Sequence, residues 1–305
     1  MPSLEYSILK VVAYFNLFDY PVTVEEIKNF LDRPFNESEF NSALDQLIAD
    51  EQLFKLQSYY SLVSDFSIVY KRETSNSNAA NELIRARKVA SFVYSFPFVK
   101  GVGISGSLSK NCANDKSDLD LFIVTKANRL WIARTLLHLY YRITLPADRR
   151  SMICLNYYID EAALEIPEKN FYTAIETATL IPCEGVATMN SFFEVNKWYR
   201  NFFPNYNKVN DCLPANKKLF TKFLEWILDN KAGNALDSSI MLFFKKRWKK
   251  LFDKNLYTEG GSRIGAYLAD KHYCKQMPDF LQQKILKRFE ATLSEIKKRL
   301  AREVA

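Results

Sequence analysis

Glycine is scarce in this chain, 8 of 305 residues, and histidine scarcer still, with 2. So few glycines leave little room for tight turns, and together with frequent Leu, Lys, Glu and Ala they point to a helix-rich protein with a modest sheet. Of the two histidines, His138 falls mid-helix and reads as packing, while His272, after Asp270 and Lys271, reads as an acid–base candidate or a structural residue. Neither pairs recognisably with a Ser or Cys for a nucleophilic triad. The five cysteines (Cys112, Cys154, Cys183, Cys212, Cys274) are far apart, odd in number and without a CxxC spacing. That argues against disulfides and a structural zinc site and suits a reducing cytoplasm. No charged-then-apolar leader opens the chain, so secretion is not expected. Long apolar runs are also missing: the stretch 130–145 is interrupted by Arg134, His138 and Arg142 and does not read as a membrane span.

What is present is ample material for a core, with 48% hydrophobic and 14% aromatic residues, and a length that suits two or three domains. The net charge of +7 is uneven: residues 201–305 hold 21 Lys and Arg against 11 Asp and Glu, so the basic character belongs to the C-terminal third.

Leu4, Ile8, Val11, Val12 and Phe15 have helical spacing. Thr23-x-x-Glu26 and Asn36-x-x-Glu39 form capping boxes before two further helices, the second with Phe40, Ala43, Leu44 and Leu47 inward. Two short strands follow, 52–56 and 59–63. Three helices and a hairpin resemble a winged-helix module. Between Thr23 and Glu51, however, eight acids face two bases, a charge that would repel a phosphate backbone, so DNA binding by this module is not expected. Residues 64–96 read as a helix broken at the polar stretch Glu73–Asn78, with Arg85, Arg87 and Lys88 as solvated charges.

The most informative stretch is VGISGSLSKNCANDKSDLDLFIV, residues 102–124. Gly106-Ser107 ends one apolar run, and Asp118-Leu119-Asp120 opens the next after ten residues. Side chains two apart on a strand share a face, so both carboxylates project together and invite a hard divalent cation with oxygen preference. A Gly-Ser turn lets backbone approach a ligand closely and offers amides to phosphate oxygens.

These residues in this order resemble the signature of the DNA polymerase beta-like nucleotidyltransferase superfamily, with Ser117 completing its Ser-Asp-Leu-Asp form. The resemblance covers about a tenth of the chain. It implies a Mg²⁺-dependent transfer (Mn²⁺ as substitute) of a nucleoside monophosphate, AMP from ATP by first expectation. Paired metals on Asp118 and Asp120 would assist an in-line displacement, while Gly106 and Ser107 hold the triphosphate. Lys110 is a candidate added charge at that triphosphate. The superfamily's third carboxylate lies on a later strand, and here the strand 152–159 offers two candidates. Cys154, Asn156, Tyr158 and Asp160 share a face if alternation holds, making Asp160 the candidate acid unless register puts neutral Asn156 there. A helix over 128–143 and strands at 100–105, 119–124 and 152–159 match a small mixed sheet backed by helices.

From Asn170 onward the pattern predicts an all-helical region, with helices over 170–180, 190–202, 217–230, 238–252, 262–275 and 279–303. In related families such a bundle closes over the nucleotide and selects the acceptor, and Tyr172, Glu176, Asn196, Trp198 and Tyr199 are polar or polar-tipped residues suited to a cleft. Along 240–252, Met241, Phe244, Trp248, Leu251 and Phe252 form a stripe flanked by Lys245, Lys246, Arg247, Lys249 and Lys250. This fits a core-packed helix with a solvated basic face, a nucleic-acid patch or a membrane-surface helix. Gly260-Gly261-Ser262-Arg263 reads as a turn. The expected architecture is α+β: a winged-helix-like module over 1–63, a nucleotidyltransferase core over 64–165 and a helical bundle over 166–305. Its expected partners are a nucleoside triphosphate and an acceptor that is a small molecule, an RNA or a protein, in the cytoplasm.

Overall fold

The computed structural model describes residues 3–114, 118–144, 146, 153–207, 212, 217, 219–252, 268–275 and 280–303. The chain is α+β. Its N-terminal part packs α1 (Leu4–Asn16), α2 (Val24–Phe30) and α3 (Glu37–Ala49) on a three-stranded antiparallel sheet of β1 (Val22–Thr23), β2 (Phe54–Leu56) and β3 (Tyr59–Ser61), in the order β1-β3-β2. Thr23 and Glu26 form the expected reciprocal capping box. Asn36 caps α3 differently: its side chain accepts from the Ser38 amide at 2.9 Å, so the helix start rests on one cap bond without a reciprocal Glu39 partner.

The next helix, α4 (Ser67–Tyr94), runs unbroken for 28 residues through Glu73–Asn78. Polar residues carry only a small helix penalty each, and tertiary packing outweighs it here. Arg72 is buried, stacks 3.5 Å over the Tyr20 ring, pairs with Glu26 at 2.8 Å and donates to the Pro21 carbonyl. Asn76 accepts from the same guanidinium, and the Ser75 carbonyl takes the Ala113 amide. The polar stretch is the seam where α4 meets the N-terminal part and the loop after the Gly-Ser turn.

The central sheet has six strands: β4 (Val99–Ile104), β5 (Leu119–Thr125), β6 (Ile153–Asp160), β7 (Ile181–Glu184), β8 (Leu268–Ala269) and β9 (Tyr273–Lys275), in the order β7-β4-β5-β6-β9-β8. Among the described residues only β5 and β6 are parallel neighbours, with α5 (Leu130–Thr144) between them in the chain. Three of the six strands lie beyond Asn170, which corrects the all-helical expectation there; 268–275 in particular forms a hairpin on β6. Short strands at a sheet edge escape a periodicity search because three or four residues fit either period.

The remaining helices are α6 (Phe171–Thr179), α7 (Val186–Val195), α8 (Leu219–Leu228), α9 (Lys231–Phe252) and α10 (Phe280–Glu303). One face of β5 sends Leu119, Leu121 and Ile123 into a core with α4, α5 and α9; the other sends Phe122 and Val124 into a core with Leu180, Met189 and Phe192. A third core joins α1, α2 and α3 to Phe171, Ala174, Phe203, Ile285 and Phe289, so the boundary at residue 63 does not separate hydrophobic cores. On α9, Trp248 is buried and Phe244 stacks on Trp131 of α5, with Arg134 lying 4.7 and 4.9 Å from their rings. Lys245, Lys246, Arg247, Lys249 and Lys250 face solvent, so the helix is core-packed with a solvated basic side. No helix among the described residues is long and apolar enough to cross a membrane. Ser117 and the 260–263 turn lie outside the described residues.

Candidate functional site

The Gly-Ser turn and the acid-bearing strand meet as the sequence spacing predicts, because β4 and β5 are antiparallel neighbours with Ile104 opposite Leu121. Gly106 has φ +68°, and a Cβ there would lie 2.1 Å from Asp120 Oδ2. Glycine is therefore required twice, for the left-handed backbone and for the approach to the carboxylate. Ser107 is exposed, and a turn of 3-10 helix (Leu108–Lys110) follows. The Lys110 ammonium donates to the Gly106 carbonyl at 2.8 Å and pairs with Glu176 of α6, also at 2.8 Å.

Asp120 is half-buried on the β5 face that also carries Phe122. Burial pushes its carboxyl above the ordinary carboxylate range; the Cys154 thiol and the Lys110 ammonium pull it down, while Glu176 and Asp118 push it further up. Asp118 is exposed just before β5 begins, close enough for its charge to bear on Asp120, and it borders a small hollow with Glu82 and Arg85.

Gly106, Ser107, Lys110 and Asp120 line a single cavity of about 290 Å³ together with Tyr172, Glu176 and Cys112. Its aromatic lining comes from the N-terminal part: Tyr14, Phe15, Phe18 and Tyr20, with Ile285 of α10 also in the wall. A second cavity of about 160 Å³ adjoins it along Tyr172 and Glu176, walled by Phe122, Tyr157, Ile166, Leu180 and Phe192 and bearing Glu168, Lys275 and Gln282.

Asp160 does not join this site. In the parallel register Asp120 stands opposite Cys154, whereas Asp160 stands opposite Thr125 at the other end of β5, about 17 Å along the strand at roughly 3.3 Å per residue. An irregularity in the pairing between Asp120 and Phe122 also breaks the alternation. Tyr157 stacks on Phe122 on the Asp120 side, while Tyr158 enters the opposite core beside Ile123. A β-bulge inserts one unpaired residue and reverses the faces beyond it, and strict alternation could not foresee that. The Asp160 carboxylate is fully buried and accepts from the Asn128 amide (2.9 Å), the Ala162 amide (3.0 Å) and His272 Nδ1 (2.9 Å), which makes it a structural anchor. The backbone of Asn156 lies in the bulged part of β6; its side chain is outside the described residues.

The carboxylate that does reach the turn is Glu176. Tyr172 and Glu176 are four apart on α6 and so share a helix face, a spacing that could have singled them out. Of the other cleft residues expected, Asn196 is buried and holds the loop before α6 through the Ile166 amide and the Leu164 carbonyl. Tyr199 is core, and Trp198 packs at its edge and donates to Asn196.

Asp120 and Glu176 bring oxygens to the cavity, whereas Asp118 borders the separate hollow, so the two aspartates do not line one site as the sequence spacing led one to expect. The Asp120 carboxylate is pressed by the like charges of Glu176 and Asp118, which a cation would relieve. Among the described residues no three His, Cys, Asp or Glu side chains come together where they could hold a metal ion. Mg²⁺ commonly needs only one or two protein carboxylates, taking its other ligands from water and substrate phosphates. No family model, curated protein or solved structure matches this chain.

Proposed function

We propose that the protein is a Mg²⁺- or Mn²⁺-dependent nucleotidyltransferase of the DNA polymerase beta-like kind, moving a nucleoside monophosphate, AMP in the first instance, onto an acceptor hydroxyl. The observation that carries this reading is the convergence of Gly106, Ser107, Lys110 and Asp120 on one cavity that adjoins a second through Glu176. Gly106 and Ser107 bring backbone to the triphosphate, and Lys110 exchanges its Glu176 partner for phosphate oxygens. Asp118 and Asp120 would hold the cation, which supplies charge neutralisation at the phosphates. The acceptor sits in the smaller cavity, whose aromatic lining with Lys275 and Glu168 favours a small molecule over a polymer end. Its oxygen bonds to the α-phosphorus as the bond to the β-phosphate oxygen breaks; Glu176, freed from Lys110, takes the proton, and pyrophosphate leaves.

The exposed side of α3 carries Glu37, Glu39 and Asp45, which disfavours DNA as a partner. Five free thiols and a need for nucleoside triphosphate fit a cytoplasmic setting.

A second reading, a nucleotide sensor that binds without transfer, is favoured by one observation: Cys154 occupies the position opposite Asp120, while Asp160, the candidate third carboxylate, stands at the other end of the strand. Incubation with labelled nucleoside triphosphates, Mg²⁺ or Mn²⁺ and a metabolite pool separates the two. Label transfer by wild type and its loss in Asp118→Ala plus Asp120→Ala is the expected result. Binding without transfer leaves the sensor, and a double variant that binds MgATP as tightly as wild type rejects both.

A further inference from the structure

The cavity at the Gly-Ser turn has two kinds of lining: charged groups, Lys110, Asp120 and Glu176, and aromatic rings, Tyr14, Phe15, Phe18 and Tyr20. Tyr14, Phe15 and Tyr20 are buried, and their rings are engaged by neighbours: Tyr14 by Phe171 and Phe289, Phe15 by Phe30, Tyr20 by the Arg72 guanidinium. Phe18 differs. It is 49% exposed, and Tyr14 meets its ring at 60° with centroids 5.5 Å apart.

The turn that carries this ring is held in place. Phe18 lies just after α1, where its own amide bonds the Phe15 carbonyl at 3.0 Å and the Asp19 and Tyr20 amides bond the Asn16 and Phe15 carbonyls. The same turn is tied to the charged groups, because the Tyr20 hydroxyl donates to the Lys110 carbonyl at 2.8 Å and Arg72 clamps Tyr20 from α4. An aromatic ring on a held turn thus lines the same cavity as the charged groups.

We infer that the N-terminal part is the nucleobase-binding wall of this site, with Phe18 as the stacking residue for the base of a nucleoside triphosphate whose phosphates lie at Gly106, Ser107 and Lys110. The inference rests on the proposed nucleotide reading and adds the ligand's other half. A nucleoside triphosphate has a polyanionic end and a flat aromatic end, and this cavity offers a partner for each in Lys110 and Phe18. Base–aromatic stacking tolerates any base, since every base has a π-face. It also gives the acidic winged-helix-like module a role that does not involve DNA.

The test compares binding of MgATP and of Mg²⁺–inorganic triphosphate by wild type, Phe18→Ala, Phe18→Trp and Asp120→Asn. Phe18→Ala is expected to weaken MgATP roughly tenfold while leaving triphosphate affinity within about twofold, because stacking acts on the base alone. Phe18→Trp should retain MgATP affinity and add an indole emission that ATP quenches and triphosphate does not. Asp120→Asn should weaken both ligands. If Phe18→Ala binds MgATP as wild type does, or loses both ligands equally with its circular dichroism unchanged, the stacking role is wrong while the nucleotide reading stands. If wild type binds neither ligand, both are wrong.

Discussion

Two aspartates stand on neighbouring strands of one sheet, Asp120 on β5 and Asp160 on β6, and they live under opposite conditions. Asp160 is fully buried, yet two backbone amides and His272 meet its oxygens. Its end of the sheet is stitched throughout: Asp237 of α9 accepts the Ile132 amide at 2.8 Å, and Arg129 donates to the Leu228 and Asn230 carbonyls and to Asn234. Asp120 is less buried, but its environment is hostile to charge, with two further carboxylates nearby and a thiol as its neighbour across the strands. A buried carboxylate whose oxygens are met by donors holds a fold together; one left under electrostatic pressure beside a cavity is a candidate for a ligand.

Breaking the satisfied end should have the largest effect. Asp160→Ala leaves the Asn128 and Ala162 amides without their acceptor and is expected to cost about 3 kcal/mol or more, read by urea denaturation. A loss below about 1 kcal/mol would mean that Asp160 is not the anchor described.

Acid sharpens the contrast through His138, which packs beside Tyr158 between the two ends. Burial, helped by the nearby Arg134 charge, lowers its pKa from 6.5 to about 3. The neutral ring is the folded form, so its contribution is intact above the ordinary histidine value and lost progressively as pH falls toward the folded one. Two units below the ordinary value the wild type should have lost about 2–3 kcal/mol through this group. His138→Leu should flatten that slope in a stability–pH profile; an unchanged slope would rule out His138 as its source. Asp120 acts in the opposite direction, since a raised carboxyl pKa favours the folded protein at low pH and costs stability as pH rises through the folded value.

The smallest effect is therefore also of opposite sign. Asp120→Asn should stabilise the free protein at neutral pH while abolishing the proposed nucleotide transfer, measured by thermal unfolding without ligand and by label transfer. Destabilisation instead would place Asp120 with Asp160 among the anchors.

Much of this was legible in the chain. The helix start at Thr23, the strand 119–125 and the glycine at 106 follow from local pattern, because each is set by spacing within a few residues. The continuous α4, the choice among the three readings of the basic helix, the hairpin over 268–275 and the cavity's aromatic lining were not legible, because their reasons lie in partners far away: Arg72 with Glu26, Phe244 with Trp131, Tyr273 with Ile159, Phe18 in one cavity with Asp120.

The sequence alone determined that Gly106, Ser107 and Asp120 would meet, since ten residues between two apolar strands leave an antiparallel pair little choice of geometry. Which third group would join them was decided only in three dimensions. The parallel register of β6 on β5 put Cys154 beside Asp120 and Asp160 at the far end of the strand, a single bulge between them reversed the faces beyond it, and the packing of α6 brought Glu176 to Lys110. A one-residue shift in a strand reverses every side chain beyond it, and no local pattern records whether that shift occurs.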